Sequence, residues 1–518
     1  MADLEVYAQE VLRISAVGTT KKRGRNLSAR NGAPRNRTAD TRIFSPLLYH
    51  LSYGTISDGK YTAFLFFIQH PGLLCKKVTV SIPEGIAATL FRIFNSFLSL
   101  SILPIKMDIT LHTLPNGIRL VHLPTTSAVA HCGIIINAGS RDELPEEHGV
   151  AHFIEHMLFK GTTHRKSYHI LSRLEDVGGE LNAYTTKEET AIHASFLREH
   201  YPKAVELISD LLFSSTFPPA EIEKEKEVII EEINSYLDSP AEYIFDEFEE
   251  MIFPEQPIGR SILGMPGTVR GISADMIRRF IARNYSTSQM VFCSVGAITP
   301  KKIITLFEKY FGHVASGNDT RRKRSEYLYN PVSKEKKTDT WQNHCIIGNI
   351  AYDLHDKRRM GLFMLNNILG GQGMNSRLNL SLREKRGYAY NVESMYNPYT
   401  DTGLVTIYFG TDNRNLGKSI ALIHSELDRL RHQPLGILQL SRAKNQIKGY
   451  LARAYENHES LMLSLGKSLL IFDRIDSIDE TFRKIEAVTG SELMEIASEI
   501  FDKSSLSTLI YRQNGERA

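Results

Sequence analysis

Cysteine is scarce and scattered: Cys75, Cys132, Cys293 and Cys345 are all there is, and none stands in C-x-x-C spacing. Neither a disulfide framework nor a thiolate metal site is indicated, and a reducing, cytoplasmic compartment is the simpler expectation. No apolar run of spanning length is uninterrupted. The nearest, Gly85 to Ile105, is broken by Arg92, Asn95 and several serines, so no membrane association is expected. A surplus of one charge is also missing, the formal net charge being +3 over 518 residues. Met1 to Lys106 holds 14 Lys/Arg against 6 Asp/Glu, which leaves the remaining chain acidic by 5 and without a nucleic-acid footprint. With 42% hydrophobic and 23% charged residues the chain reads as an ordinary globular protein, long enough for two or three domains.

What is present is histidine in a particular spacing. His152, Glu155 and His156 fall at i, i+3 and i+4, so a helix puts all three on one face. Pro145 is expected to open that helix and Gly161 to cap it in a left-handed conformation. Two neutral imidazoles one turn apart fill two corners of a tetrahedral zinc site, with room for a distant third ligand and a water. Glu155 is then placed beside the water as general base, in the reverse of the commoner H-E-x-x-H order. In a chain with 18 histidines the pattern alone arises by chance in about one case in twenty, so a second signal is needed. It comes from a helix expected over Ala220 to Phe253, where Ile222, Glu225, Ile229, Glu232, Ile233 and Tyr236 share one stripe. A carboxylate on a core-like face needs a compensating cation, which makes Glu232 the candidate third ligand and Glu225 a supporting carboxylate. The competing reading is a solvated charge run, which Glu221, Glu223, Lys224, Lys226, Glu227 and Glu231 fit. His148, one turn earlier, is not expected to ligate, because a fourth protein ligand would displace the water.

Three strings together, HFIEHMLFKGT from His152, EKEVIIEEI from Glu225 and GGELNAYTTKEET from Gly178, resemble the M16 (pitrilysin-like) metallopeptidases, most closely the short processing-peptidase type. The resemblance runs from about Met107 to the C-terminus. It implies a zinc endopeptidase with one Zn2+ per chain, held by His152, His156 and Glu232. The family's third ligand lies about 76 residues past its second histidine, as Glu232 does past His156. It also implies an edge strand, Leu181 to Thr185 with Asn182 and Ala183, onto which an extended peptide adds, and an oxyanion-stabilising pair, Arg383 and Tyr390. A clamshell of two chains follows, as a homodimer or with a paralogue. The alternative is a catalytically inert peptide-binding or structural subunit of the same family.

The fold is expected to be α+β, two homologous two-layer domains of sheet packed with helices. Strands are expected at Ile109 to Leu114, Ile118 to Leu123, Ala128 to Ala138, Leu181 to Thr185, Thr190 to Leu197 and Gln289 to Ala297. Residues 107–313 make a zinc-binding domain, 314–338 a polar linker, and 339–518 a metal-free, substrate-enclosing domain. The repeat shows in His131-Cys132 against His344-Cys345. Sliding by that offset sets Leu365, Ile368 and Leu369 opposite His152, Glu155 and His156, so the second copy keeps the helix and loses the metal. Residues 1–106 do not conform. Pro34 to Gly54 resembles read-through of an upstream transfer-RNA gene, and the expectation is a spurious extension with Met107 as the start. A mitochondrial transit peptide, with a matrix location, is the competing reading.

Overall fold

The computed structural model describes residues 108–317, 324 and 327–514, together with three earlier strands. The chain divides into two compact units, 1–103 and 104–518. In the first, β1 (His50–Ile56), β2 (Lys60–Phe66) and β3 (Val78–Pro83) form an antiparallel sheet. The stretch Gly85 to Ile105 and most of the nonconforming leader lie outside the described residues. Among the described residues no helix is long and apolar enough to cross a membrane.

The second unit is built from two sheets with one plan. The first runs β4 (Thr110–Thr113), β5 (Arg119–Pro124), β9 (Met290–Gly296), β6 (Val129–Ile136), β8 (Thr190–Leu197), β7 (Glu180–Thr185) in space. All its pairings are antiparallel except β5 with β9. The second runs β10 (Ser333–Thr338), β14 (Ser507–Gln513), β11 (Asn343–Ala351), β13 (Gly403–Thr411), β12 (Ala389–Pro398), again with one parallel pair, β10 with β14. Strand for strand, β5, β9, β6, β8 and β7 correspond to β10, β14, β11, β13 and β12, so the α+β two-domain architecture holds. The repeat extends to side chains. His131 bonds Ser195 (2.8 Å), and the residues at the same offset, His344 and Tyr408, also bond (2.8 Å).

The inner face of each sheet carries its own helices. In the first half these include α1 (Val150–Leu158), α2 (Ser167–Glu175), α3 (Tyr201–Ser214) and α4 (Pro219–Leu237), around a core with Ile134, Phe153, Leu207, Ile229 and Phe292. The single helix expected over 220–253 is two. Asp238 caps α4, and after Ser239 a new helix, α5 (Pro240–Ile252), starts with a proline in its first turn, where the missing N–H costs nothing. The outer faces are exchanged. α5 lays Ile244, Phe248 and Ile252 against Ile346, Leu404 and Leu509 of the second sheet. A helix of the second half, His458–Phe472, lays Leu461, Leu465 and Leu469 against Val121, Ile135 and Val291 of the first. The polar stretch 314–338 contains β10, the edge strand of the second sheet.

Candidate metal centre

Helix α1 is not opened by Pro145, which sits in a separate 3-10 turn, Pro145–Glu147. Gly149 precedes the first residue of α1 with φ 95°, and Gly264 (φ 80°) packs against it so closely that a Cβ on either would approach the other's backbone within 2.9 Å. Glu143, which the sequence reading missed, supplies the cap: its carboxylate accepts the N–H groups of Gly149 (2.9 Å) and Ala151 (2.8 Å). Burial pushes that carboxyl up to about 8, against the two N–H donors and nearby Arg260. Nor does Gly161 cap the far end. Phe159 ends the helix in a right-handed conformation, and Gly161 has φ 145° in the following turn.

On the face of α1 turned to α4, His152 and His156 stand with ring centroids 4.7 Å apart. Glu232 Oε2 lies 3.8 Å from His152 Nε2 and 3.6 Å from His156 Nε2. Among the described residues these three form the one group whose ligand atoms lie within 4.8 Å of one another. Tetrahedral zinc, with ligands ~2.0–2.1 Å away, holds them roughly 3.4 Å apart, so the group is near that size before any ion draws it in. Burial, then the neighbouring imidazole, push His152 down to about 4, which keeps it neutral with a lone pair to give. Its Nδ1 is buried with no hydrogen-bond partner. Two neutral imidazoles and a carboxylate are a donor set that suits zinc.

Glu225 lies two turns before Glu232 on α4 and is only 5% exposed. One oxygen meets His156 Nδ1 at 3.2 Å, and the other meets Lys160 Nζ at 2.6 Å. It therefore orients His156 so that Nε2 faces Glu232, the usual task of a carboxylate behind a metal-binding histidine. Glu155 is half-buried beside the two histidines. Burial pushes its carboxyl up, partly offset by neighbouring Thr185 and His156.

Thr185 ends β7, the edge of the first sheet, in which Asn182 is exposed and Ala183 packs toward the core that holds α1. Arg383 sits in a π-helical turn, Asn379–Glu384, with its guanidinium 5.1 Å from the ring centroid of Tyr390, which is 83% exposed. The two meet each other. No hydrogen bond or ion pair joins either to His152, Glu155, His156 or Glu232. His148 bonds the Ser261 carbonyl (2.8 Å) and is not in the metal group. A cavity of about 440 Å³ is lined by Ile233 and Tyr236 of α4 with Asp246, Glu250, Glu255 and Arg260, and by none of His152, Glu155, His156 or Glu232.

The family model for insulinase (peptidase family M16) matches residues 120–266, and that for the peptidase M16 inactive domain matches 271–447. The chain is 34% identical to the uncharacterized zinc protease YmxG of Bacillus subtilis (strain 168) over 402 residues, 77% of this chain and 97% of that protein. It is 31% identical to an uncharacterized zinc protease of Rickettsia bellii over 411 residues, covering 79% and 99%. In fold it is similar to a protease from Helicobacter pylori (TM-score 0.71, 20% identity, 79% and 100% covered). A putative M16-like peptidase from Alicyclobacillus acidocaldarius is also similar (TM-score 0.70, 19% identity, 80% and 100% covered).

Proposed function

The chain belongs to peptidase family M16, and from that premise we propose that it is a zinc-dependent endopeptidase cleaving extended peptides or protein termini. The observation that carries this is the convergence of His152, His156 and Glu232, backed by Glu225, with Glu155 free to act beside them. Zinc bound there supplies a Lewis acid that polarises the scissile carbonyl and lowers the pKa of water. Glu155 takes the proton of the attacking water and returns it to the leaving amine. Glu232, two-fifths exposed, faces the approach side, while buried Glu225 keeps His156 in the tautomer that presents Nε2.

The substrate pairs as an added strand along β7, on whose outer edge Asn182 and Ala183 lie. Arg383 and Tyr390 meet each other and not the site of their own chain, which supports a homodimer in which a second copy presents them to the oxyanion. A cytoplasmic placement fits the free, buried Cys132, Cys293 and Cys345.

The test compares the chain with its Glu155→Gln variant on a quenched basic peptide, with zinc measured on both. The expected result is about one zinc per chain in each, with kcat in the variant lower by about 10²–10⁴-fold. A parent chain that holds no zinc and cleaves nothing leaves the inert-subunit reading in its place.

A further inference from the structure

Strand β7 has a hydrogen-bonded neighbour on one side only, so its position depends on what covers its two faces. Alternation divides its residues between them. Leu181 and Ala183 pack toward the core around α1, and Thr185 falls on the same face, toward the helix that carries Glu155. Tyr184 points the other way, into the cluster built on the His458–Phe472 helix, which comes from the metal-free half. The Tyr184 hydroxyl donates to Glu189 Oε1 (3.0 Å), and Lys467 of that helix pairs with the same oxygen. The Lys467 ammonium also stands 5.5 Å from the Tyr184 ring centroid. Glu189 is 8% exposed, so its charge needs a counter-ion that its own half does not provide at this point.

We propose that Lys467 is a positioning residue for the peptidase reaction: reaching from the metal-free half, it clamps Tyr184 through Glu189 and so sets the edge strand against Glu155. The inference rests on the proposed strand addition at β7. A strand held on both faces presents its free N–H and C=O groups at a fixed distance from the proton-accepting carboxylate, and one held on the inner face alone does not. Lys467 thereby fixes where the peptide lies, while touching neither the metal ligands nor the peptide.

Lys467→Met keeps the aliphatic stem over Tyr184 and removes the ammonium. For an extended quenched peptide the expected result is a KM raised about tenfold with kcat within about twofold of the parent, and Lys467→Arg restoring the parent KM. Zinc content stays unchanged. In the peptide-free protein, amide hydrogen exchange at 181–185 speeds up about tenfold in Lys467→Met while exchange in α1 does not. Glu189→Gln needs no counter-ion and keeps an acceptor for Tyr184, so it serves as a second, folded variant with the same direction of change. An unchanged KM with unchanged exchange overturns the inference, as does a loss of kcat, zinc and thermal stability together without a KM split. If the parent itself does not cleave, the peptidase reading fails, and the exchange measurement still decides whether Lys467 holds the strand.

Discussion

Both oxygens of Glu225 are committed, one to His156 Nδ1 and one to Lys160 Nζ, in a place where water hardly reaches. Lys160, one turn past His156, ties this carboxylate back, leaving Glu232 as the one that faces both imidazoles. Lys160→Met removes that counter-charge, and the expected outcome is a zinc affinity weaker by about 10–100-fold, read by competition with a chelator. The convergence of His152, His156 and Glu232 was legible because the pattern is local, three residues on one turn and two carboxylates on one stripe. Partners across long separations were not. His164 has no evident role in the sequence, yet its Nδ1 meets Asp210 at 2.6 Å, and Asp210 also takes Arg165 (2.6 Å) and Thr162 (2.8 Å). Burial pushes the Asp210 carboxyl up, but those three hydrogen bonds outweigh it and the net shift is downward. With the folded value below the unfolded one, Asp210 contributes stability that is fully present above about pH 4 and is lost as pH falls through the lowered value. Asp210→Asn is expected to cost about 2 kcal/mol at pH 6, with the gap to the parent closing in acid, as urea midpoints across pH would record.

Helix α1 is short, and its placement depends on a backbone contact rather than on side-chain volume. Gly149 and Gly264 both have positive φ and touch through their Cα atoms, so the loop carrying Gly264 presses on the entry to the metal helix. Gly149→Ala strains the left-handed backbone and drives a methyl into the Gly264 backbone. It is expected to cost about 2–4 kcal/mol and to lower zinc occupancy with it, measurable by denaturant unfolding with and without chelator. Sequence rules placed a proline at the start of α1 and a glycine at its end. The structure uses Glu143 and Phe159, because a carboxylate six residues upstream folds back onto the N–H groups, which short-range capping rules do not see. Strands fared better. Thr190–Leu197 was bounded as observed, since it alternates between a core face and a neighbouring helix. Strand β14 was not foreseen, although it is central in its sheet: it lies at the end of a long helical stretch and pairs with β11 more than 150 residues earlier.

At the scale of the molecule the two halves are exchanged rather than merely adjacent. Each sheet's outer face is covered by a helix from the other half, so neither half alone would bury its sheet. The duplication was readable from the His-Cys pairs at a fixed offset. The exchange was not, because α5 and the His458–Phe472 helix have apolar stripes that would suit either sheet. Charges lock the arrangement. Arg141, 7% exposed, reaches Asp401 of the β12–β13 turn through two bonds (2.6 and 2.7 Å) and Glu188 through a third (2.6 Å), while Thr400 also bonds Glu188 (2.6 Å). Within the first half, Lys187 joins Glu249 of α5 at 2.9 Å and ties that helix back to its own half. Halves that share both cores and buried ion pairs unfold together, so calorimetry is expected to give a single transition for residues 104–518, where independent halves would give two. Arg141→Met leaves Glu188 and Asp401 facing one another without their cation, and is expected to cost about 3 kcal/mol. Because the loss falls on the join and not on either sheet, the variant's transition should move down in temperature as one peak. A split into two peaks would show that the exchanged helices hold each sheet to itself, and that the ion pairs alone made the halves cooperative.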